Sequence, residues 1–310
     1  MLAIAATLLP IFLLIGVGAL AVKTQLMPSS AVPAIGKLVL YLALPALIFN
    51  NLRTIELNSV IEPYFLMAYG LGGLFVLIIG FSLSFLWLKS GVIPASIHAL
   101  GMSTPNSVFI GYPIVMLTFH TPLAAGLTMV LLVENLLILP IVLLLLEYGS
   151  AQKHHNLSKT LLNIAKRIAT NPLIIAIFLG LLWASLHLPM PEPIAKTLGM
   201  LGNATVALAL IFIGASLASN KFSPPNQALS MVLLGKLFLH PLIVALLVGL
   251  LPDFDHQLQL AVILFAAIPM MSIYPIIGEH YGMRIFCTNT LFITTLLSFF
   301  SLTLVIHGLL

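Results

Sequence analysis

A chain of 310 residues with 61% apolar and only 6% charged residues, a formal charge of +4 and a mean hydropathy of +1.18 lies far from water-soluble domains, in which about a quarter of residues carry charge. Its basic residues are scattered singly between apolar stretches, which excludes the clustered basic face of a nucleic-acid binder. The single cysteine, Cys287, excludes an intrachain disulfide and a cysteine metal cluster.

Apolar segments near the ~20 residues that cross a ~30 Å hydrocarbon core as a helix recur along the whole sequence. They lack the ~10-residue alternating segments of barrel strands. The first predicted span covers 2–22. Its start, Met1-Leu2-Ala3-Ile4, has no basic leader region and Lys23 follows it, so it is expected to stay in place as a span. Spans follow at 34–52, ending on Asn50 and Asn51, and at 63–88. The fourth, 92–117, contains Ser103-Thr104-Pro105-Asn106-Ser107 and then Gly111-Tyr112-Pro113, and the fifth, 121–148, encloses Glu134 and Asn135. Residues 149–168 hold Lys153, His154, His155, Lys159, Lys166 and Arg167 and read as a solvated linker. Spans resume at 169–187, 196–218 and 227–251, the last with Lys236 and His240 inside it, and continue at 256–280, with Pro269 and Pro275, and 284–309. The expectation is an all-α integral membrane protein of ten spans, with one five-helix unit at 1–148, a cytoplasmic linker at 149–168 and a second unit at 169–310.

Ten spans place both termini on one side, and basic loops mark the cytoplasmic face. Lys23, Lys37, Lys89, Lys153, Lys159, Lys166, Arg167, Lys221 and Arg284 flank alternate connections, whereas the opposite face has Arg53 and Lys196. Glu56, Glu62, Glu192, Asp253 and Asp255 fall on that opposite face. Both termini are therefore predicted outside a cytoplasmic (inner) membrane.

The two halves coincide at a nearly constant offset. Pro10 and Gly18 precede Pro172 and Gly180 by 162, and Ala46-Leu47-Ile48-Phe49 precedes Ala209-Leu210-Ile211-Phe212 by 163. Gly72, Leu74 and Phe75 precede Gly235, Leu237 and Phe238 by 163; Pro105 precedes Pro269 by 164, and Tyr112-Pro113-Ile114 precedes Tyr274-Pro275-Ile276 by 162. In so apolar a chain the matched prolines and glycines carry the weight. An odd number of spans per unit inverts the second unit against the first, the arrangement of alternating-access carriers.

A proline inside a helix removes a backbone donor and frees carbonyl groups that hydrocarbon cannot satisfy. One such proline reads most simply as a kink. Breaks at matched positions of two inverted units point instead to a binding site where half-helix amino termini favour negative charge. Asn106 can donate to a carboxylate, with Ser103, Thr104 and Ser107 nearby, while Met270, Met271 and Ser272 occupy the equivalent stretch of the second break, which makes the site asymmetric. Glu134, Asn135, Lys236 and His240, polar inside other spans, are candidates to face the protein interior. The spacing of four puts Lys236 and His240 on one helix face, and Lys236 stands where the first unit has Gly73. Lys236 can neutralise an anion; a structural pair with Glu134, or snorkelling to an interface, is the alternative. A carboxyl group enclosed in the bilayer, as Glu134 would be, is placed to carry a proton through a cycle. Asn50 and Asn51 read as a polar helix end or the lining of an outer vestibule. His98, His120, His187, His240 and His307 are dispersed, and no metalloprotease or phosphate-loop motif occurs, so neither an enzyme nor a cofactor is expected.

Leu42-Ala43-Leu44-Pro45-Ala46-Leu47-Ile48-Phe49, Pro105 through Pro113, Glu134-Asn135-Leu136, Ala207 to Leu217, Lys236-Leu237 with His240-Pro241, and the Pro269 segment occur in an order that resembles the auxin efflux carrier family, particularly its short prokaryotic members that look like malate and malonate permeases. The resemblance covers the whole chain. It implies that helices four and nine cross at their prolines, that Pro105, Asn106 and Pro269 form the crossover with Glu134 and Asn135 beside it, and that organic anions are carried. The plant carriers have asparagine after the second crossover proline, where this chain has Met270, and the long central cytoplasmic domain of many of them is reduced to about twenty residues. Recognition of indole acids is therefore not implied.

The expected function is secondary transport of a small mono- or dicarboxylate by alternating access, with proton coupling and a second copy of the chain as candidate partners. A sodium-coupled symporter resembling the bile acid carriers is the rival, distinguished by a need for a sodium gradient. A membrane receptor that binds without flux is the other.

Overall fold

The structure, a computed structural model, describes residues 2–54, 61–119, 123–150, 162, 165–166, 169–218 and 226–309. Most of the linker, with Lys153, His154, His155, Lys159 and Arg167, and also Glu56, His120 and Lys221, lies outside the described residues. Those described are helical almost throughout: α1 Leu2–Lys23, α2 Ser29–Leu52, α3 Pro63–Trp87, α4 Val92–Ser103, α5 Ser107–Phe119, α6 Ala124–Ser150, α7 Pro172–Ser185, α8 Glu192–Ala218, α9 Gln227–Leu250, α10 His256–Ala267, α11 Tyr274–His280 and α12 Arg284–Leu309. Among the described residues α2, α3, α6, α8, α9 and α12 are long and apolar enough to cross a membrane. Leu20, Trp87, Phe178, Leu250 and Phe300 are more than half exposed, as helices that face acyl chains require. The protein is a multi-pass membrane protein.

Helix starts follow local chemistry. Asn171, Asn226 and Asp255 turn side-chain oxygens onto the amides of Leu173, Leu229 and Leu258, at 2.9, 2.8 and 2.9 Å, supplying acceptors to the first turns of α7, α9 and α10. Within the helices, widened π turns at Val39–Ala43, Ser107–Gly111, Glu134–Ile138 and Gly235–Leu239 each end two residues before a proline: Pro45, Pro113, Pro140 and Pro241. The proline ring clashes with the carbonyl four residues earlier and cannot bond to it. That carbonyl belongs to residue 41, 109, 136 or 237, the centre of its π turn in every case. The wide turn lets the helix continue past the ring, and its extra residue rotates all that follows by about 100°.

The chain forms two compact units, each drawing on both halves of the sequence. The first takes in Met1–Glu62, Val108–Met129 and Ala169–Asn220. There α1 and α8 approach so closely that a Cβ on Gly18 would collide with the Ile211 carbonyl and one on Gly214 with that of Ile15; a Cβ on Gly180 would sit 2.9 Å from Leu52 Cβ. Backbone approach at small residues is how helices gain packing energy where no hydrophobic force separates helix from lipid. The second unit takes in Pro63–Ser107, Val130–Ile168 and Lys221–Leu310, with Phe65, Val76, Ile97, Leu100 and Phe265 buried in its core.

Candidate functional site

Inside the second unit α4 ends at Ser103 and α10 at Ala267, and each is followed by an extended stretch carrying a proline. The two stretches lie antiparallel. Asn106 N donates to Pro269 O at 2.7 Å, Met271 N donates to Thr104 O at 3.1 Å, and Pro105 faces Met270 between these bonds. Groups released by one break are thus satisfied by the other, which is how non-helical backbone survives in a membrane protein. Asn106 Nδ2 adds a bond to Ser272 Oγ at 2.6 Å. Thr104, Asn106, Ser107 and Met270 are buried, and Ser272 is half-buried. Ser103 and Thr104 turn their hydroxyls back onto Ala99 O and Leu100 O, at 2.8 and 2.6 Å.

Two charged side chains flank the paired breaks. Glu134, the first residue of the π turn in α6, accepts on Oε1 from Ser107 Oγ at 2.6 Å and from Tyr69 OH of α3 at 2.7 Å. Lys236, in the π turn of α9, donates from Nζ to Ala266 O at 3.0 Å and meets His240 Nδ1 at 2.7 Å. An ammonium has donors only, so the imidazole accepts. The acid therefore stands at the amino end of α5 and the base at the carboxyl end of α10, each where the partial charge of a helix end favours it. Both are buried. Their hydrogen bonds run to these partners and not to each other, and the two charges act on each other only through space. A direct Lys236–Glu134 pair is thus not formed.

The structure brings Pro105, Asn106, Pro269, Met270 and Ser272 into one cluster and joins Ser107 to Glu134. Asn135 is half-buried and donates to Leu131 O of its own helix at 2.9 Å. In the first unit Asn51 Nδ2 donates to Tyr112 OH at 3.2 Å, and Asn50 Oδ1 accepts from Arg53 Nε at 3.0 Å. His98 is paired with Ser84 at 2.7 Å and lies on the Phe286 ring. Sequence reasoning missed Tyr69. Its signal is a phenol deep inside a largely apolar span.

A protein from Rhizobium meliloti (strain 1021) bearing the name "Putative malonate transporter" is similar to this chain, 26% identical over 299 residues, which cover 95% of this chain and 92% of that one. The family described as "Membrane transport protein" matches residues 3–306. The chain belongs to this family of membrane transport proteins, the auxin efflux carriers, and is a transporter of a small molecule, not an enzyme.

Proposed function

We propose that the protein is a secondary active transporter of small organic anions, mono- or dicarboxylates, working by alternating access in the cytoplasmic (inner) membrane with both termini outside. The observation that carries this reading is the reciprocal pairing of Asn106 N with Pro269 O and of Met271 N with Thr104 O. It sets the amino end of α5 beside the side-chain amide of Asn106 and the hydroxyl of Ser272, donors suited to a carboxylate. Pro105, Asn106, Ser107, Pro269, Met270 and Ser272 form the substrate site in this proposal, with Asn135 beside it, Lys236 supplying positive charge and Glu134 a proton-carrying carboxyl.

Ten spans in two inverted five-helix repeats, 1–148 and 169–310, complete the proposal. Several matched features support it. Helices α1 and α7 end at Lys23 and Ser185, 162 apart, and each is followed by a left-handed residue, Gln25 (φ 59°) and His187 (φ 49°). Gly18 of α1 meets Ile211 of α8, while Gly180 of α7 meets Phe49 and Leu52 of α2, contacts that exchange under the same offset.

The test is counterflow of labelled carboxylates into proteoliposomes of the purified protein, with malonate, the compound in the relative's name, as first probe. Asn106→Ala is expected to cut the initial rate about tenfold, the loss of roughly one hydrogen bond to a charged group. An unchanged rate in that variant removes the site. A strict sodium requirement moves the protein to the rival class, and saturable binding with no flux makes it a receptor. Assembly as a homodimer belongs to the same proposal and is read by the mass of the detergent-solubilised protein.

A further inference from the structure

Among the described residues the buried Asp, Glu, Lys and Arg side chains are Glu134 and Lys236 alone, and both belong to the second unit. The histidines add no charge beside them. With Lys236 charged, His240 Nδ1 accepts from its ammonium, so the ring holds its proton on Nε2 and is neutral. His98 of α4 is engaged by the Ser84 hydroxyl and the Phe286 ring. The groups facing Glu134 are the neutral hydroxyls of Tyr69, from α3, and Ser107, from the start of α5, together with the through-space charge of Lys236, from α9. With Lys236 positive and Glu134 negative, the interior of the empty unit carries no net charge.

An arriving anion upsets this balance. A monoanion leaves one uncompensated negative charge and a dianion two, and a low-dielectric interior excludes such charge steeply. One proton on Glu134 restores neutrality for a monoanion and still leaves a dianion one charge in excess. We infer that the protein carries its substrate as a monoanion together with one proton, moving no net charge across the membrane. The inference rests on the transport reading above and adds the charge form and stoichiometry. The proton binds the Glu134 carboxylate as the anion enters, and both leave on the far side, restoring the Lys236 and Glu134 charges for the return. Loaded and empty carriers are then both neutral. A dicarboxylate enters with one of its own carboxyl groups protonated.

The test uses the full-length protein in proteoliposomes with two probes, malonate and monomethyl malonate, which holds a single carboxylate at every pH above its ionisation. Above the second ionisation of malonate, the ester is expected to have the lower KM, and the ratio of the malonate KM to the ester KM is expected to fall about tenfold for each pH unit of acidification, following the monoanion fraction of malonate. Initial rates are expected to stay within about twofold under a potassium diffusion potential of either sign, since a neutral complex does not feel the field. An alkaline-inside pH gradient is expected to drive accumulation. Glu134→Gln should lose gradient-driven accumulation. Rates that follow the potential and ignore the pH gradient overturn the inference, as does a ratio of malonate KM to ester KM that rises on acidification; both are read on the unmodified protein and so do not depend on the variant folding. Accumulation that survives in Glu134→Gln overturns it as well. Absence of counterflow for either probe strikes the transport reading itself, whereas counterflow driven by potential strikes only the charge balance.

Discussion

Tyr69 and Ser107 donate to the same carboxyl oxygen of Glu134 from different elements, so this one side chain ties α3 and the start of α5 to α6. A hydrogen bond to a charged group contributes about 1.5–3 kcal/mol, more than one between neutral partners. Tyr69→Phe and Ser107→Ala are therefore each expected to lower the melting temperature of the detergent-solubilised protein. The double variant is expected to fall by other than the sum, because the two donors share an acceptor. Thr128→Ser is the control, since Thr128 bonds only to Ala124 O of its own helix at 2.8 Å. Equal melting temperatures for Tyr69→Phe and wild type would remove Glu134 as a structural tie. The charged half of this arrangement was legible in the sequence, since an acid inside an apolar stretch stands out. Its phenolic partner was not, because Tyr69 lies 65 residues earlier and tyrosine is unremarkable in a membrane helix.

At the scale of elements, the thickness of hydrocarbon dictates the run of apolar residues, and this is why the helix ranges could be read closely from sequence. Pro63–Trp87 and Arg284–Leu309 differ from the expected 63–88 and 284–309 by one residue or none. What proline does inside such a run could not be read. Pro45, Pro140 and Pro241 widen their helices into π turns, whereas Pro105 and Pro269 end theirs. The missing amide is common to all five; the difference is that Thr104 O and Pro269 O find donors in the opposite break, a partner no local pattern reveals. Packing of α1 on α8 was likewise hidden, because glycines also serve turns. Their role here gives a sharp expectation. Gly214→Val puts a side chain into the Ile15 backbone, which cannot rotate away, whereas a Cβ on Gly16 of the same helix pair meets nothing within 4 Å. Gly214→Val should abolish monodisperse protein on size exclusion. Gly16→Ala should be neutral or stabilising by up to about 1 kcal/mol, the helix-propensity difference. A monodisperse Gly214→Val protein with an unshifted melting temperature would show that α1 and α8 do not depend on this contact.

For the whole molecule, the proposed inversion makes a demand that a parallel duplication does not: residues matched by the internal offset must face opposite sides of the membrane. Lys23 and Ser185 are matched at 162 and Lys89 and Asp253 at 164, and all four are exposed at helix ends or in connections. The background is favourable, because the sole cysteine, Cys287, is buried. Single cysteines at these positions can be challenged in intact cells with a membrane-impermeant maleimide, then again after permeabilisation. The distribution of basic residues places Lys23 and Lys89 inside, so Ser185→Cys and Asp253→Cys should label in intact cells while Lys23→Cys and Lys89→Cys label only once the membrane is opened. A reversal of all four keeps the inversion and corrects the orientation alone. Equal access within either matched pair makes the repeats parallel, and then the meeting of Pro105 with Pro269 would need an explanation other than two half-sites brought together by a twofold axis in the membrane plane.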